Sequence, residues 1–332
     1  MINNWTIYGH DWAVDYLRKG MVNDRVRHAY LITGVQSIGK STLAQSFAMA
    51  LNCTHDDMEM RPCRDCRSCK KSLTGNHPDL IFSNNDPNTG ALKIEEIRRV
   101  TSLIALKPYE TRYRIAIFED FHRAGGQAQD ALLKTLEEPP PHALMILLTP
   151  SLEPILSTIT SRSQIIHLRP VATQSVLTTL TEHYSVEDEQ ADLLARLSSG
   201  RIGWAIEAAA NPEILEQRDQ ALTMLEEIIG NNRKYRFDLA KDLAKDKDSL
   251  RILLELWMTY WRDVLLLTEN APIKPSNVDR QVALEQMVYT VRTEDALNAI
   301  KATQTMLGYL NWNVNVRLAL EVMFLDYPGL EG

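Results

Sequence analysis

Short apolar runs alternate with amphipathic stretches along the first half of the chain. Continuous apolar runs are typical of strands buried on both faces of a sheet. They predict strands at residues 28–33, 78–82, 115–118, 144–148 and 165–168. Between these runs, apolar residues recur every three or four positions, which is typical of helices. The predicted helices are 41–51, 94–106 and 127–138. This alternation predicts an α/β domain built on a mostly parallel sheet.

Strand patterns end after Pro170, and the rest of the chain has helical periodicity. Residues 172–208 predict short helices. Residues 213–331 predict long helices, interrupted by a polar, Pro-containing break at 271–276. We therefore predict three parts: an α/β domain over 1–170, a small helical lid over 171–211 and an all-helical domain over 212–332.

Residues 34–41 fit the phosphate-loop pattern G-x-x-x-x-G-K-[ST] at every fixed position. The match lies between a predicted strand and a predicted helix, where backbone N–H groups and the positive helix end bind phosphate. Lys40 would neutralise the β/γ-phosphates and Ser41 would coordinate Mg²⁺, so we predict a site for ATP or ADP with Mg²⁺. The predicted binding residues are Gly34, Val35, Gln36, Ser37, Ile38, Gly39, Lys40, Ser41 and Thr42.

Two acids, Glu119 and Asp120, directly follow the apolar run at 115–118. Hydrolysis needs one carboxylate near the Mg²⁺ shell and another to orient the attacking water. The usual order is Asp then Glu, and this chain has the reverse. Displacements of about 1 Å can cost on the order of 100-fold in rate. The pair is therefore a doubtful catalytic site, and a solvated acidic strand end is the alternative.

The four cysteines all lie between positions 53 and 69, a clustering that favours a metal site over disulfides. Cys53, Cys63, Cys66 and Cys69 predict a closed, structural Zn²⁺ site. An iron–sulfur cluster and four free thiols are the alternatives, and His55 is a possible substitute ligand.

Composition narrows the classes of function. The chain of 332 residues has 36 Lys and Arg against 43 Asp and Glu, a net charge of −7, which argues against strong direct DNA binding. No apolar run approaches about 18 residues, so we expect no membrane span. Met1–Trp5 lacks the regions of a signal peptide, and we expect a cytoplasmic protein.

These motifs together resemble those of the bacterial clamp-loader subunits of DNA polymerase III, AAA+ proteins related to replication factor C. Residues 131–140, ALLKTLEEPP, are a near-verbatim signature of that family. Tyr8–His10 is similar to its adenine-side segment, and a cysteine module after the first helix is typical of its tau/gamma and delta-prime members. The resemblance covers most of the chain and implies an AAA+ domain, a helical lid and a helical collar.

Two further residues gain roles from this resemblance. Thr149 ends a predicted strand, where the family places its sensor-1 residue, and so would contact nucleotide. Ser161–Ser163 matches the family's Ser-Arg-Cys motif except at its last residue. The arginine of that motif reaches across a subunit interface to the ATP of a neighbour, which implies that Arg162 is a trans arginine finger. Such a residue can increase the rate 10³- to 10⁵-fold.

Several departures point to one member of the family. Gly203 stands where the ATPase-type members carry a sensor-2 arginine, Asp130 replaces an Asn, and the two acids after 115–118 are inverted. The chain thus resembles delta-prime, a stator with weak or absent ATPase of its own.

The resemblance also implies partners. These are tau/gamma and delta in a hetero-oligomer, with the sliding clamp and primed DNA reached through the complex and no membrane. An active tau/gamma-type ATPase is the alternative, since Lys40 and Ser41 are intact. A P-loop small-molecule kinase is more remote, because it explains neither the cysteine module nor the helical last third.

Overall fold

The computed structural model describes residues 4–87, 89–273, 275–310, 312 and 314–329. The chain divides into two units. The first contains the chain up to Thr179 together with Gly200–Trp204, and the second contains Leu180–Ser199 and the chain from Ala205. The lid predicted at 171–211 contributes residues to both units, and the division into three parts stays a prediction.

A parallel sheet forms the centre of the first unit. Within the described residues its strands are β1 (Ala29–Thr33), β2 (Leu80–Phe82), β3 (Arg114–Phe118), β4 (Ala143–Thr149) and β5 (Gln164–His167). The strand order is β2-β3-β4-β1-β5, and every adjacent pair is parallel. Thr33 lies opposite Thr149, so β1 and β4 end at the same edge. The predicted parallel α/β fold is confirmed.

Helices cover both faces of this sheet. They are α1 (Asp11–Val22), α2 (Lys40–Leu51), α4 (Ile94–Ile104), α5 (Gly126–Glu137) and α6 (Ser157–Thr160), whereas α3 (Arg67–Leu73) packs on α2. Alternate residues of β1 point to opposite faces. Tyr30 packs in one hydrophobic cluster with Phe47 of α2, and Leu31 packs in the other with Leu132 of α5. The three central strands β1, β3 and β4 are buried on both faces and are therefore apolar at nearly every position, whereas the edge strand β5 is largely accessible.

The described chain after β5 is helical, as expected. Its α-helices are α7 (Thr173–Tyr184), α8 (Asp188–Leu197), α9 (Ile202–Ala210), α10 (Glu213–Gly230), α11 (Arg233–Leu243), α12 (Lys247–Thr268), α13 (Gln281–Thr290), α14 (Thr293–Tyr309) and α15 (Val316–Asp326). In the second unit, the side chains of Trp257, Tyr260 and Trp261 on α12 are fully buried, and Phe324 of α15 packs on Trp257. None of the helices found in the described ranges combines the length and apolar character that crossing a bilayer requires.

Candidate functional site

The phosphate loop connects the end of β1 to the start of α2. Gly34 has φ +152° and Gly39 has φ +107°, which are conformations that L side chains rarely adopt. A Cβ at Gly34 would also lie 2.6 Å from the carbonyl oxygen of Leu168. Both fixed glycines of the motif are therefore required by the backbone, and the loop has the strand–loop–helix context that the sequence predicts.

The Lys40 ammonium lies over this loop. Its Nζ donates to the carbonyl oxygens of Gly34 at 2.7 Å and Val35 at 2.9 Å. Burial lowers the pKa of Lys40 to about 8, although the nearby Asp120 carboxylate acts to raise it. A bound polyphosphate would add further negative charge beside Lys40 and hold it in its protonated form.

The two acids after β3 both lie close to the loop. Burial and the charge of Asp120 raise the pKa of Glu119, and the Ser41 hydroxyl acts in the opposite direction. Asp120 has a left-handed backbone with φ +48°, and the charge of its carboxylate acts to raise the pKa of Lys40. The structure therefore places one acid beside the predicted Mg²⁺ ligand and the other beside the predicted phosphate ligand. Their role in hydrolysis stays a prediction.

The remaining predicted nucleotide ligands differ in accessibility. Thr149 is fully buried, and its hydroxyl donates to the carbonyl oxygen of Ser151 at 2.6 Å. Ile38 is also buried. Apart from the two glycines, the remaining predicted loop residues have side chains that are at least partly accessible. Those accessible residues are Val35, Gln36, Ser37, Lys40, Ser41 and Thr42.

His10 supports the phosphate loop, a role that the sequence did not predict. Its Nε2 lies 3.0 Å from the carbonyl oxygen of Ile38, so Nε2 must carry the proton that is donated. Burial lowers the pKa of His10, which favours the neutral ring. The sequence marked this position only through the similarity of Tyr8–His10 to an adenine-side segment.

Gly203 touches the phosphate loop directly. Its backbone N–H donates to the carbonyl oxygen of Ser37 at 2.8 Å. A Cβ at position 203 would lie 2.7 Å from the same oxygen, which is closer than real Cβ contacts. Arg201, two residues earlier, stacks on the Trp204 ring at 5.5 Å. The absence of an arginine at 203 therefore coincides with a backbone contact that leaves no room for a side chain.

Arg162 lies at the surface, just after α6. Its Nη2 lies 3.0 Å from Oε1 of Glu137, and its Nη1 donates to the carbonyl oxygen of Thr158 at 3.1 Å. The Arg162 side chain is 38% exposed in the single chain. The guanidinium is therefore accessible from outside this chain, as a trans-acting group must be. Its role across an interface stays a prediction.

The four cysteines converge on one point. Their Sγ atoms all lie within 4.8 Å of one another, and the Cys53–Cys66 and Cys63–Cys69 distances are both 4.0 Å. Four thiolates about 2.3 Å from a tetrahedral Zn²⁺ would be roughly 3.8 Å apart, so the donor set and spacing fit zinc. The cysteines are not joined in disulfides. The predicted substitute ligand His55 instead accepts a bond from the Asp57 amide at its Nδ1.

Basic residues near the cysteines form hydrogen bonds and ion pairs with residues outside the cysteine set. Arg64 donates to the carbonyl oxygen of Asn4 at 2.7 Å, and Lys71 pairs with Glu110 at 2.6 Å. Trp5 donates to the carbonyl oxygen of Arg61 at 3.0 Å. The module is thus fixed to the body of the first unit by hydrogen bonds and ion pairs from outside the cysteine set.

The chain is similar to several known proteins. Residues 9–172 match the family model described as DNA polymerase III, delta subunit. The DNA polymerase III subunit delta' of Bacillus subtilis is 27% identical over 313 residues, covering 93% of each chain. A gamma subunit-related protein of Thermotoga maritima, a solved structure, is 15% identical with a TM-score of 0.47, covering 94% of this chain and 97% of the other.

Matches to longer relatives cover only part of them. The tau/gamma subunit of Haemophilus influenzae is 31% identical over 231 residues, which are 68% of this chain and 32% of that protein. The chain similarly spans 49% of the Bacillus subtilis tau subunit. The relatives and the family model agree on one group of proteins. The chain belongs to the family of DNA polymerase III subunits that includes delta-prime and tau/gamma.

Proposed function

We propose that this chain is a delta-prime-like subunit of a DNA polymerase III clamp loader. It acts as a stator that supplies Arg162 to the ATP site of a neighbouring subunit, so that the assembly can load a sliding clamp on primed DNA. Its own phosphate loop binds ATP or ADP without efficient turnover. The proposed partners are tau/gamma and delta subunits.

The observation that carries this proposal is the contact between Gly203 and the phosphate loop. An arginine at this position would reach the γ-phosphate in the ATPase-type members that the sequence resembles. Here residue 203 is a glycine whose backbone N–H is bonded to Ser37, and a side chain at this position would clash with the same carbonyl oxygen. Support for the delta-prime member also comes from a relative that matches over nearly its whole length, the Bacillus subtilis delta' subunit.

An exposed apolar stripe on α15 supports assembly with partners. Leu318, Val322 and Leu325 are 58%, 53% and 42% exposed. Their i, i+4 and i+7 spacing places them on one side of the helix. A stripe of this kind is typical of a helix that packs against another protein. We therefore assign α15 to the collar contact with the other subunits.

The cysteine module completes the proposal. Cys53, Cys63, Cys66 and Cys69 hold one Zn²⁺, which fixes the loop between α2 and α3 without chemistry of its own, since a four-cysteine shell has no open position. Elemental analysis of the purified chain should find about one zinc, and a Cys69→Ser variant should lose it. Iron, or a chain without metal, would contradict this assignment.

An active ATPase of the tau/gamma type is the second candidate. It is favoured by the position of Glu119 beside Ser41, which resembles a working Mg²⁺ site. Steady-state ATPase of the isolated chain, compared with the chain mixed with tau/gamma and delta, separates the two. The stator proposal predicts negligible turnover alone, and robust turnover by the isolated chain would contradict it.

A further inference from the structure

Glu137 lies in the ALLKTLEEPP signature, for which neither the phosphate loop nor the cysteine module provides a role. It is the last residue of α5, and Pro139 and Pro140 follow shortly after it. A carboxylate at the carboxyl end of a helix is opposed by the helix dipole, and Glu138 adds a second negative charge. This end of α5 therefore favours cations. Lys134 lies in the same last turn, and Arg162 is the cation that pairs with Glu137.

The carboxyl end of α6 holds the same guanidinium. Arg162 Nη1 donates to the carbonyl oxygen of Thr158 at 3.1 Å, while its Nη2 pairs with Glu137 at 3.0 Å. Arg162 is thus bonded to a backbone carbonyl of α6 and to the side chain of the last residue of α5, both in its own chain. In this pose the guanidinium is folded back on its own subunit, with part of its charge already neutralised.

A buried glutamine fixes the two helices relative to each other. Gln129 of α5 is 2% exposed, and its Nε2 donates to the carbonyl oxygens of Ala124 and Pro154 at 2.9 and 2.8 Å. Its Oε1 accepts from the backbone N–H of Leu156, directly before α6, at 2.9 Å. The register between α5 and α6 is therefore set by the core, and the Glu137–Arg162 distance follows from it.

The pair itself is exchangeable. The side chains of Arg162 and Glu137 are 38% and 52% exposed, and ion pairs at such sites contribute little to stability. A polyphosphate presented by another subunit carries more negative charge than one carboxylate and offers bidentate acceptors. It can therefore displace Glu137 from the guanidinium.

From these contacts we propose that Glu137 is a positioning residue that holds Arg162 on its own subunit until the nucleotide of a neighbour competes for it. This inference rests on the proposed function, since it requires Arg162 to act across an interface. Glu138, the adjacent acid in the same signature, makes no ion pair with any residue in the described part of the chain, and it therefore provides a matched control.

The first test uses the isolated full chain. Arg162 should react with phenylglyoxal roughly two- to fivefold faster in Glu137→Gln than in the parent chain, because an exposed ion pair protects by about that factor. The rate at the Arg162 peptide is read by mass spectrometry. Glu138→Gln should react like the parent. Equal rates for the two variants would overturn the inference.

The second test uses the assembly of this chain with tau/gamma and delta subunits. Without clamp or DNA, Glu137→Gln should raise ATPase activity roughly two- to fivefold, and Glu138→Gln should leave it unchanged. In an Arg162→Ala background, Glu137→Gln should have no further effect, whereas a merely structural Glu137 would act in both backgrounds. A fall in ATPase with Glu137→Gln, or an effect that persists without Arg162, would overturn the inference.

The two proposals fail in distinguishable ways. If Arg162→Ala alone leaves the ATPase of the assembly unchanged, both the proposed function and this inference fail. If Arg162→Ala abolishes activity at the interface but Glu137→Gln changes nothing, only this inference fails.

Discussion

Two regions of the first unit hold their polar groups in different ways. One is the phosphate-loop pocket, meaning residues 34–41 with Gly203, and the other is the surface where Arg162 pairs with Glu137. In the pocket, Lys40 donates to loop carbonyls, and Ser37 accepts from the backbone of Gly203. Each of these partners belongs to the backbone of the same chain. Arg162 also donates to one backbone carbonyl, that of Thr158, but it is partly exposed and its other partner is the half-exposed carboxylate of Glu137.

This difference indicates where the chain can contribute to catalysis. Groups that are satisfied internally need rearrangement before they can act on a ligand, whereas an exposed ion pair can exchange its partner at little cost. The proposed function accordingly assigns nucleotide binding with low turnover to the phosphate loop, and it assigns Arg162 to the ATP site of another subunit.

Of the next three effects, the largest is expected at the exposed apolar stripe of α15. Replacing Leu318 and Val322 together by Glu should weaken assembly with tau/gamma and delta at least ~30-fold, because central apolar contacts are worth about 2 kcal/mol or more. Analytical ultracentrifugation measures the affinity, and circular dichroism checks that the fold is kept. Val282→Glu on α13, at a site 70% exposed, is the matched control. Unchanged affinity in the double variant would remove α15 from the interface.

The next effect concerns the contact between Gly203 and the phosphate loop. Gly203→Ala places a Cβ 2.7 Å from the Ser37 carbonyl oxygen, and relieving this clash should cost about 1–3 kcal/mol of unfolding free energy. Thermal unfolding should show a fall in Tm of several degrees. Gly126→Ala, at the start of α5 where a Cβ meets open space, should be neutral or slightly stabilising. Equal Tm values for the two variants would show that the backbone at Gly203 is not in tight contact with the phosphate loop.

The smallest effect is the pH dependence of the pocket. Above pH 8 the free Lys40 is increasingly neutral, but a bound polyphosphate keeps it charged, so binding takes up a proton. Nucleotide affinity should therefore fall as pH rises, approaching about tenfold per pH unit well above 8. Lys40→Arg stays protonated throughout and should flatten the profile. Calorimetry at several pH values measures the nucleotide affinity of both chains. A flat profile in the parent chain would show that the pKa of Lys40 is not lowered into this pH range.

The centre of the sheet could be predicted from sequence because β1, β3 and β4 are buried on both faces and are therefore apolar at nearly every position. Each predicted strand lies within two residues of the observed one. The helix α1 was not predicted, although Ala13, Val14, Leu17 and Met21 repeat with helical spacing and are buried. The short helix α3 lies inside the cysteine module, where the spacing of the cysteines hid its periodicity.

At the candidate site, motifs that are contiguous in sequence were predictable and contacts between distant segments were not. Gly34–Ser41 and the four cysteines carry fixed spacings that follow directly from phosphate and metal geometry. The bond from His10 to Ile38 and the bond from Gly203 to Ser37 depend on how distant segments pack. The Glu137–Arg162 pair likewise needs the register of α5 against α6, which Gln129 sets.

Hydrolysis at the neighbouring site tests the central claim most directly. An assembly of this chain with tau/gamma and delta is compared with one that carries Arg162→Ala, with single-turnover ATP hydrolysis and nucleotide binding to this chain measured in parallel. The account predicts that hydrolysis at the adjacent site falls on the order of 10³-fold while nucleotide binding here is unchanged. Unchanged hydrolysis at every site in the Arg162→Ala assembly would contradict it.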